Sequence, residues 1–210
     1  TRVFSRATVA YLRRRAWRHL RELARHVPDA YALAATECLA PYVDGDDVLK
    51  GNAPPTWRSW LFHQILFGRS TRFEVDARAT RFRNRPKAAS PGAAREESHP
   101  ELWDRVPRAY VRVLGSCRHT LAQRFAYDAI TKRAPDALKQ ASHAEVAALL
   151  GADDARIVDL GLQELRRRFD PKHPDLELVF ELAGSAKDLV RNFGLTLLNE
   201  SARVWTRDLA

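Results

Sequence analysis

A pair made of one large and one very small apolar residue recurs in the second half of the chain at a nearly constant interval. The pairs are Phe125–Ala126, Leu160–Gly161 and Phe193–Gly194, spaced by 35 and then 33 residues. Each pair lies in a segment with the apolar periodicity of an amphipathic helix, and another helical segment precedes it. Because a very small residue lets a neighbouring helix approach closely, the pattern predicts three similar pairs of packed helices.

Other positions align at the same offsets. Gly151 and Gly184 end the first helices of their pairs, where a left-handed C-cap residue is expected. A single helix pair cannot bury its apolar face, whereas stacked pairs bury a continuous core. Any amphipathic bundle aligns by chance over a few positions, but a small residue in all three copies favours a repeat. The remaining aligned positions are Leu114, Leu149 and Leu182; Ala122, Ile157 and Val190; and Ile130, Leu165 and Leu198.

Helical periodicity continues over most of the chain and predicts an all-α fold. Pro28 is expected to end the first helix, and Asp29 to cap the second. The second half contains no credible run of strands. The predicted helices cover residues 5–26, 30–43, 57–67, 101–115, 119–133, 143–150, 154–169, 174–183 and 186–207.

Residues 68–98 interrupt the helical pattern and are rich in Pro, Gly, Ser and charge, which predicts a long surface loop. Within this segment Phe73, Val75, Ala77 and Ala79 alternate, as in one strand or one arm of a hairpin. The predicted organisation is N-terminal helices over 1–67, a basic loop or linker over 68–100, and helical repeats over 101–210. The predicted fold is therefore an α-solenoid of stacked helical hairpins with one long basic loop.

Residues 107–208 resemble HEAT-type helical repeats, whose lengths are about 30–47 residues. The stretches FSRATVAYLRRRAWRHLRELA and HPELWDRVPRAYVRVLGSC are similar to a helical region of bacterial proteins that also carry a WGR domain. This similarity rests on Phe4, Tyr11–Trp17 and Pro100–Trp103. It implies helical repeats in a nucleic-acid context, within a longer bacterial protein located in the cytoplasm, and it implies no catalytic residues.

Positive charge is concentrated in the first half of the chain. Residues 1–108 hold 20 Lys and Arg against 12 Asp and Glu, whereas residues 109–210 hold 15 against 14. A segregated excess of this kind indicates a polyanionic partner. In the first predicted helix, a row of arginines faces away from an apolar arc that runs from Val9 to Leu23. We call this row the arginine stripe: Arg14, Arg18, Arg21 and Arg25.

The arginine stripe has two interpretations. It is either a contact surface for the phosphates of a nucleic acid, which would be sequence-independent and salt-dependent, or the ordinary solvated face of a helix. A second basic cluster lies in the predicted loop and has the same two interpretations. Its members are Arg78, Arg81, Arg83, Arg85 and Lys87.

Motifs for catalysis and cofactor binding are absent from the sequence. The seven histidines form no HExxH or close Cys/His set, and the nine glycines form no phosphate-binding loop, so neither a metal nor another cofactor is expected. Cys38 and Cys117 are interpreted as buried structural thiols, and His63 as a core residue. The acidic turn Asp44–Asp47 does not fit a calcium loop. No apolar stretch is long enough to span a membrane, and no secretory signal is visible, so no membrane partner is expected.

The sequence favours a non-catalytic helical-repeat module that binds a macromolecular partner, either a protein or the phosphate backbone of a nucleic acid. Sequence-independent nucleic-acid binding through the basic N-terminal half is one alternative. Another is an enzyme that resembles the helical-repeat DNA glycosylases of alkylation repair, in which Trp103 and Asp104 would supply the exposed tryptophan and the carboxylate. Core packing is the competing explanation for Trp103, as it is for Trp57 and Trp60.

Overall fold

A computed structural model describes residues 5–45, 59–70, 73–75, 80–82 and 95–202 of the chain. These residues are predominantly helical, as the sequence predicts, and the chain divides into two compact units, Thr1–Ala141 and Ser142–Ala210. The described helices are α1 (Arg6–His26), α2 (Pro28–Leu39), α3 (Trp60–Phe67), α4 (Pro100–Arg105), α5 (Arg108–Ser116), α6 (Thr120–Lys132), α7 (Ala137–Gln140), α8 (His143–Ala148), α9 (Ala155–Arg168), α10 (Leu176–Ala183) and α11 (Asp188–Glu200).

The junction between α1 and α2 is a single residue, Val27. Its torsion angles, φ −138° and ψ 64°, are not helical and interrupt the helix. Pro28 is the first residue of α2 and not a residue between helices, because proline is accommodated in the first turn, where its missing N–H costs no bond. The prediction that Asp29 caps α2 is wrong, since its carboxylate accepts a hydrogen bond from Arg105 Nε at 2.8 Å. α2 also ends at Leu39, earlier than predicted. Ala40 keeps helical torsion angles, but Pro41 after it has no N–H to continue the helical hydrogen bonds.

The region after α3 is not entirely a surface loop. Two short strands, β1 (Phe73–Val75) and β2 (Thr80–Phe82), pair in antiparallel register, which confirms the hairpin interpretation; Ala77 and Ala79 lie outside the described residues.

The end of the predicted loop is buried. Glu97 and Ser98 are inaccessible, and Ser98 is held by its backbone N–H to Ile65 O at 2.8 Å and by its hydroxyl to Gln64 O at 2.7 Å. Segment 95–98 therefore satisfies carbonyls at the end of α3, and the prediction of a surface loop is wrong for it.

The core of the first unit surrounds Trp103, which is fully buried. Its ring stacks on Tyr110 with centroids 5.6 Å apart, and meets Phe125 and Tyr31 edge-on at 5.1 and 6.3 Å. These contacts join α2, α4, α5 and α6. The predicted helix over 101–115 is in fact two helices, α4 and α5, because Pro107 cannot continue the first of them. The first unit therefore continues beyond residue 100, to Ala141. The sequence predicts that the repeat region starts at residue 101.

The second unit begins with a capping box, in which Ser142 and Glu145 exchange hydrogen bonds at the start of α8. α8 continues into a 3₁₀ turn at Leu149–Gly151, and side chains of Asp154 and Asp175 cap α9 and α10. The predicted helix over 186–207 is described from Asp188 to Glu200; residues 203–207 lie outside the described residues.

The small residues of the predicted repeat lie at close approaches between helices. Gly194 on α11 faces α10 so closely that an added Cβ would lie 2.3 Å from Ala183 N and 2.5 Å from Leu182 C. Gly161 on α9 faces the end of α8, where an added Cβ would lie 3.1 Å from Leu149 Cβ. In the first unit, Ala126 on α6 is fully buried, and α6 packs against α5.

The expectation that Gly151 and Gly184 adopt a left-handed conformation is wrong. Gly184 has φ −84° and ψ 0°, and Gly45 is the one described glycine with a positive φ, at 96°. The helix ends are completed by other groups. The Lys187 ammonium donates hydrogen bonds to the carbonyls of Leu150, at 3.0 Å, and Ala152, at 2.5 Å, so it binds the end of the α8 segment from the start of α11.

Replacement of Gly194 by alanine is expected to lower the free energy of unfolding by about 2 kcal/mol or more, since its Cβ would overlap the backbone of α10. Urea titrations followed by circular dichroism measure this change. Gly184→Ala is the matched control in the same helix pair. Its Cβ would meet the Phe180 carbonyl oxygen at an ordinary 3.4 Å, so stability should be unchanged or slightly higher. Equal losses in the two variants would contradict the close approach at Gly194.

Candidate nucleic-acid interface

The arginine stripe lies on α1, a 21-residue helix that begins at the cap residue Ser5, whose side chain accepts a hydrogen bond from the Thr8 N–H. The opposite face of α1 packs on α2 and α3 and buries Leu20 almost completely. This packing fixes the rotation of the helix, and all four members of the stripe are exposed. The predicted orientation of the stripe is therefore confirmed.

Few acidic groups neutralise the stripe. The described part of α1 carries one acidic residue, Glu22, which pairs with Arg25 at 3.3 Å and with His26 at 3.3 Å. Arg14, Arg18 and Arg21 form no ion pair with any residue in the described part of the chain. Among the described residues, three guanidinium groups on one exposed face therefore have no acidic partner.

Arginines elsewhere in the chain are arranged differently. At the end of α9, Arg167 and Arg168 both pair with the buried carboxylate of Glu164, each with an N–O distance of 2.6 Å. Arg166 pairs with Glu200 at 2.6 Å and lies over the ring of Phe169. Both clusters are dense in arginine, and all three arginines at the end of α9 have an acidic partner. In the stripe, only Arg25 has one among the described residues, so arginine content alone does not account for the stripe.

The second basic cluster is largely outside the described residues. Arg78, Arg83, Arg85 and Lys87 lie there, as does the side chain of Arg81, whose backbone is in β2 opposite Glu74. The prediction that this cluster contacts nucleic acid therefore stays a prediction.

Trp103 and Asp104, the two residues of the glycosylase hypothesis, both make contacts within the fold. Trp103 is fully buried, and its ring offers no exposed stacking surface. Asp104 accepts hydrogen bonds from Arg95 and from the Tyr110 hydroxyl, the latter at 3.2 Å. Trp60 is buried as well, and Trp57 lies outside the described residues. These positions confirm core packing for Trp60 and Trp103 and give the glycosylase hypothesis no support.

A partly buried ionic network around Arg95 is not predicted by the sequence. Arg95 Nε donates to the buried carboxylate of Glu97 at 2.6 Å, and its Nη2 donates to the Tyr110 hydroxyl at 3.2 Å and to the Pro100 carbonyl at 3.0 Å. Burial raises the pKa of Tyr110 well above its usual value, so its hydroxyl remains protonated. The network holds the segment that precedes α4 against α5. No sequence motif predicts it.

The candidate nucleophiles are inert. Cys117 is buried, and burial raises the pKa of its thiol to about 11, so the thiolate is scarce at neutral pH. Desolvation raises the pKa of the Cys38 thiol as well. Cys117 is therefore buried, as predicted, whereas Cys38 is only half-buried.

His63 is fully buried beside Phe62 and Phe67, as expected of a core residue. Within the described part of the chain, no group of three or more His, Cys, Asp or Glu residues could hold a metal ion.

The acidic turn that follows α2 has a structural role. Asp44 accepts hydrogen bonds from the N–H of Thr120, at 2.8 Å, and from the Thr120 hydroxyl, and Thr120 is the first residue of α6. Asp46 and Asp47 lie outside the described residues.

In the second unit, a small cavity of about 90 Å³ has an apolar floor that includes Leu165, Val179 and Leu182. His143 and His173 lie at its rim, and His173 Nδ1 is 3.0 Å from Asp170 Oδ2. Both histidines are exposed, and His173 pairs with a neighbour three residues away, so the cavity by itself does not define a ligand site. No described helix in either unit has the length and apolar character needed to cross a membrane.

The chain matches no protein-family model, and no curated protein or solved structure is significantly similar to it. The resemblances to HEAT-type repeats and to the helical region of WGR-domain proteins therefore rest on the residues of this chain alone, and they stay predictions.

The pairing of Glu164 predicts an acid-sensitive second unit. Hydrogen bonds from Arg167 and Arg168 lower the pKa of this carboxyl, so the folded state binds fewer protons than the unfolded state as the pH falls. The stabilisation is present above the carboxyl's ordinary pKa and is lost as the pH falls through the lower folded pKa. Glu164→Gln should therefore destabilise the protein by about 2 kcal/mol at pH 7, and this difference should shrink between about pH 5 and pH 3.

Urea unfolding of both forms at several pH values measures the effect. Glu181→Gln, at an exposed position on α10, is the control and should leave the pH profile unchanged. A destabilisation by Glu164→Gln that is the same at every pH would contradict the ion pairing.

Proposed function

We propose that this protein is a non-catalytic helical module that binds the phosphate backbone of a nucleic acid through the arginine stripe of α1. The observation that carries the proposal is the absence of ion pairs from Arg14, Arg18 and Arg21 to any described residue, on a face where all four arginines are exposed. The chain pairs its arginines at the end of α9 with nearby acids, so unpaired arginines are not simply its default arrangement.

The geometry of the stripe suits a polyanion. From Arg14 to Arg25 the helix rises by about 16 Å, with a guanidinium group on each turn. Duplex DNA carries a charge for about every 1.7 Å of its axis, so such a row can meet several phosphates at once. Contacts to phosphates carry no direct sequence information, and the binding is therefore sequence-independent.

The helical pairs supply the scaffold in this proposal. The close approaches at Gly161 and Gly194, and the buried Ala126 between α5 and α6, are what a HEAT-like repeat would need, and they support a solenoid of stacked hairpins. The WGR-related similarity of the opening segment falls on the same helix, α1, that carries the stripe.

The proposal is tested with the triple variant Arg14→Gln, Arg18→Gln, Arg21→Gln, which removes the three unpaired charges. For a 20-bp duplex, the slope of log affinity against log salt should become less steep by about 2.7, if each arginine neutralises one phosphate. Fluorescence anisotropy at four or more salt concentrations measures this slope. Circular dichroism of the native protein and of the variant checks that α1 remains helical.

A second triple variant provides a control of equal charge change. Arg124→Gln, Lys139→Gln and Lys172→Gln remove three exposed cations from other parts of the chain. This variant should bind the duplex with nearly the native salt slope. Equal losses in the two triple variants would mean that net charge alone attracts the DNA. Binding of the native protein to anionic lipid vesicles, but not to nucleic acid, would overturn the proposal in favour of a membrane surface.

A further inference from the structure

One aromatic side chain lies within the arginine stripe. Tyr11 precedes Arg14 by three residues and Arg18 by seven, and these spacings put all three on one face of α1. The Tyr11 side chain is 45% exposed. Among the side chains described in the first unit, it is the most exposed aromatic one, since Tyr31, Trp103 and their neighbours belong to the core.

A neighbouring arginine contacts the Tyr11 hydroxyl. Arg15 Nη1 donates a hydrogen bond to the Tyr11 hydroxyl at 3.2 Å. This hydrogen bond, together with the positive charges of Arg15 and Arg18, lowers the pKa of Tyr11. Tyr11 precedes Leu20 by nine residues, which places it on the side of α1 opposite the buried apolar face. Its ring therefore lies beside the cations.

We propose that the ligand of this face is a single-stranded nucleic acid, and that Tyr11 stacks on one of its unpaired bases. The inference rests on the phosphate-binding function proposed above and specifies the class of nucleic acid. An aromatic ring beside a row of cations is the combination by which proteins bind single strands: the cations follow the backbone and the ring takes a base. Tyr11 and Arg18 are separated by about 10 Å along the helix axis, so a strand along α1 meets both.

Duplex DNA cannot use this ring in the same way. Its bases are stacked within the helix and expose edges in the grooves, not faces. A polyanion without bases, such as inorganic polyphosphate, also gains nothing from an aromatic ring. Tyr11 should therefore contribute to the binding of single strands and to neither of the other two ligands.

The test compares Tyr11→Ala with Tyr11→Phe on four probes: a dT 20-mer, a U 20-mer, a 20-bp duplex and polyphosphate. Tyr11→Ala should weaken binding of the 20-mers by about fivefold or more, which corresponds to the loss of one stacked base. Its affinity for duplex and polyphosphate should stay within about twofold of the native value. Tyr11→Phe keeps the ring and should retain most of the affinity for single strands.

Leu12→Ala is the matched control, because Leu12 is the next residue of α1 and is equally exposed, at 45%. It should change the affinity for none of the probes.

Failure of the inference is distinct from failure of the proposed function. If the native protein binds duplex DNA and Tyr11→Ala leaves the binding of the 20-mers unchanged, or weakens all four probes equally, base stacking is overturned and phosphate binding stands. If the native protein binds none of the four probes at low salt, both proposals are overturned.

Discussion

The packing of Trp103 organises the first unit. Its ring lies between Tyr31 of α2, Tyr110 of α5 and Phe125 of α6, so three helices share one fully buried side chain. Tyr31 also belongs to the helix that covers the apolar face of α1. The core therefore holds α2 in place, α2 covers the face of α1 that carries Leu20, and the arginine stripe is directed to solvent as a consequence.

The two arginine-rich helices of this protein differ in where their counter-charges lie. The arginines at the end of α9 find Glu164 and Glu200 within the fold, and this pairing stabilises the second unit. On α1 the single acid Glu22 pairs with Arg25 and His26, and the three other members of the stripe have no acidic partner among the described residues. Exposed cations contribute little to folding, since exposed ion pairs and charges have small effects on stability. In the function proposed above, an external polyanion gives these cations a role, and Tyr11 would add a contact to unpaired bases.

Much of the secondary structure could be predicted from the sequence. Apolar periodicity located most of the described helices, and the alternation after Phe73 indicated the hairpin. The errors fall where one proline or one tertiary contact decides the local conformation. Pro28 begins α2, and Pro107 separates α4 from α5. The composition of segment 95–98 is typical of a polar loop. Glu97 and Ser98 are nevertheless buried, and the polar groups of Ser98 hydrogen-bond to the end of α3.

The sequence by itself determined that the chain is helical, that α1 is amphipathic with arginines opposite its apolar face, and that small residues mark three helices. These properties are periodic along the chain, so each can be recognised from its near neighbours in sequence. Only the tertiary structure decided which charges are neutralised and which rings are accessible. Arg95 pairs with the buried carboxylate of Glu97, Trp103 is enclosed, and Tyr11 remains exposed. Those outcomes depend on contacts between residues that are far apart in the chain. Local periodicity does not predict such contacts, because it reflects only near neighbours in sequence.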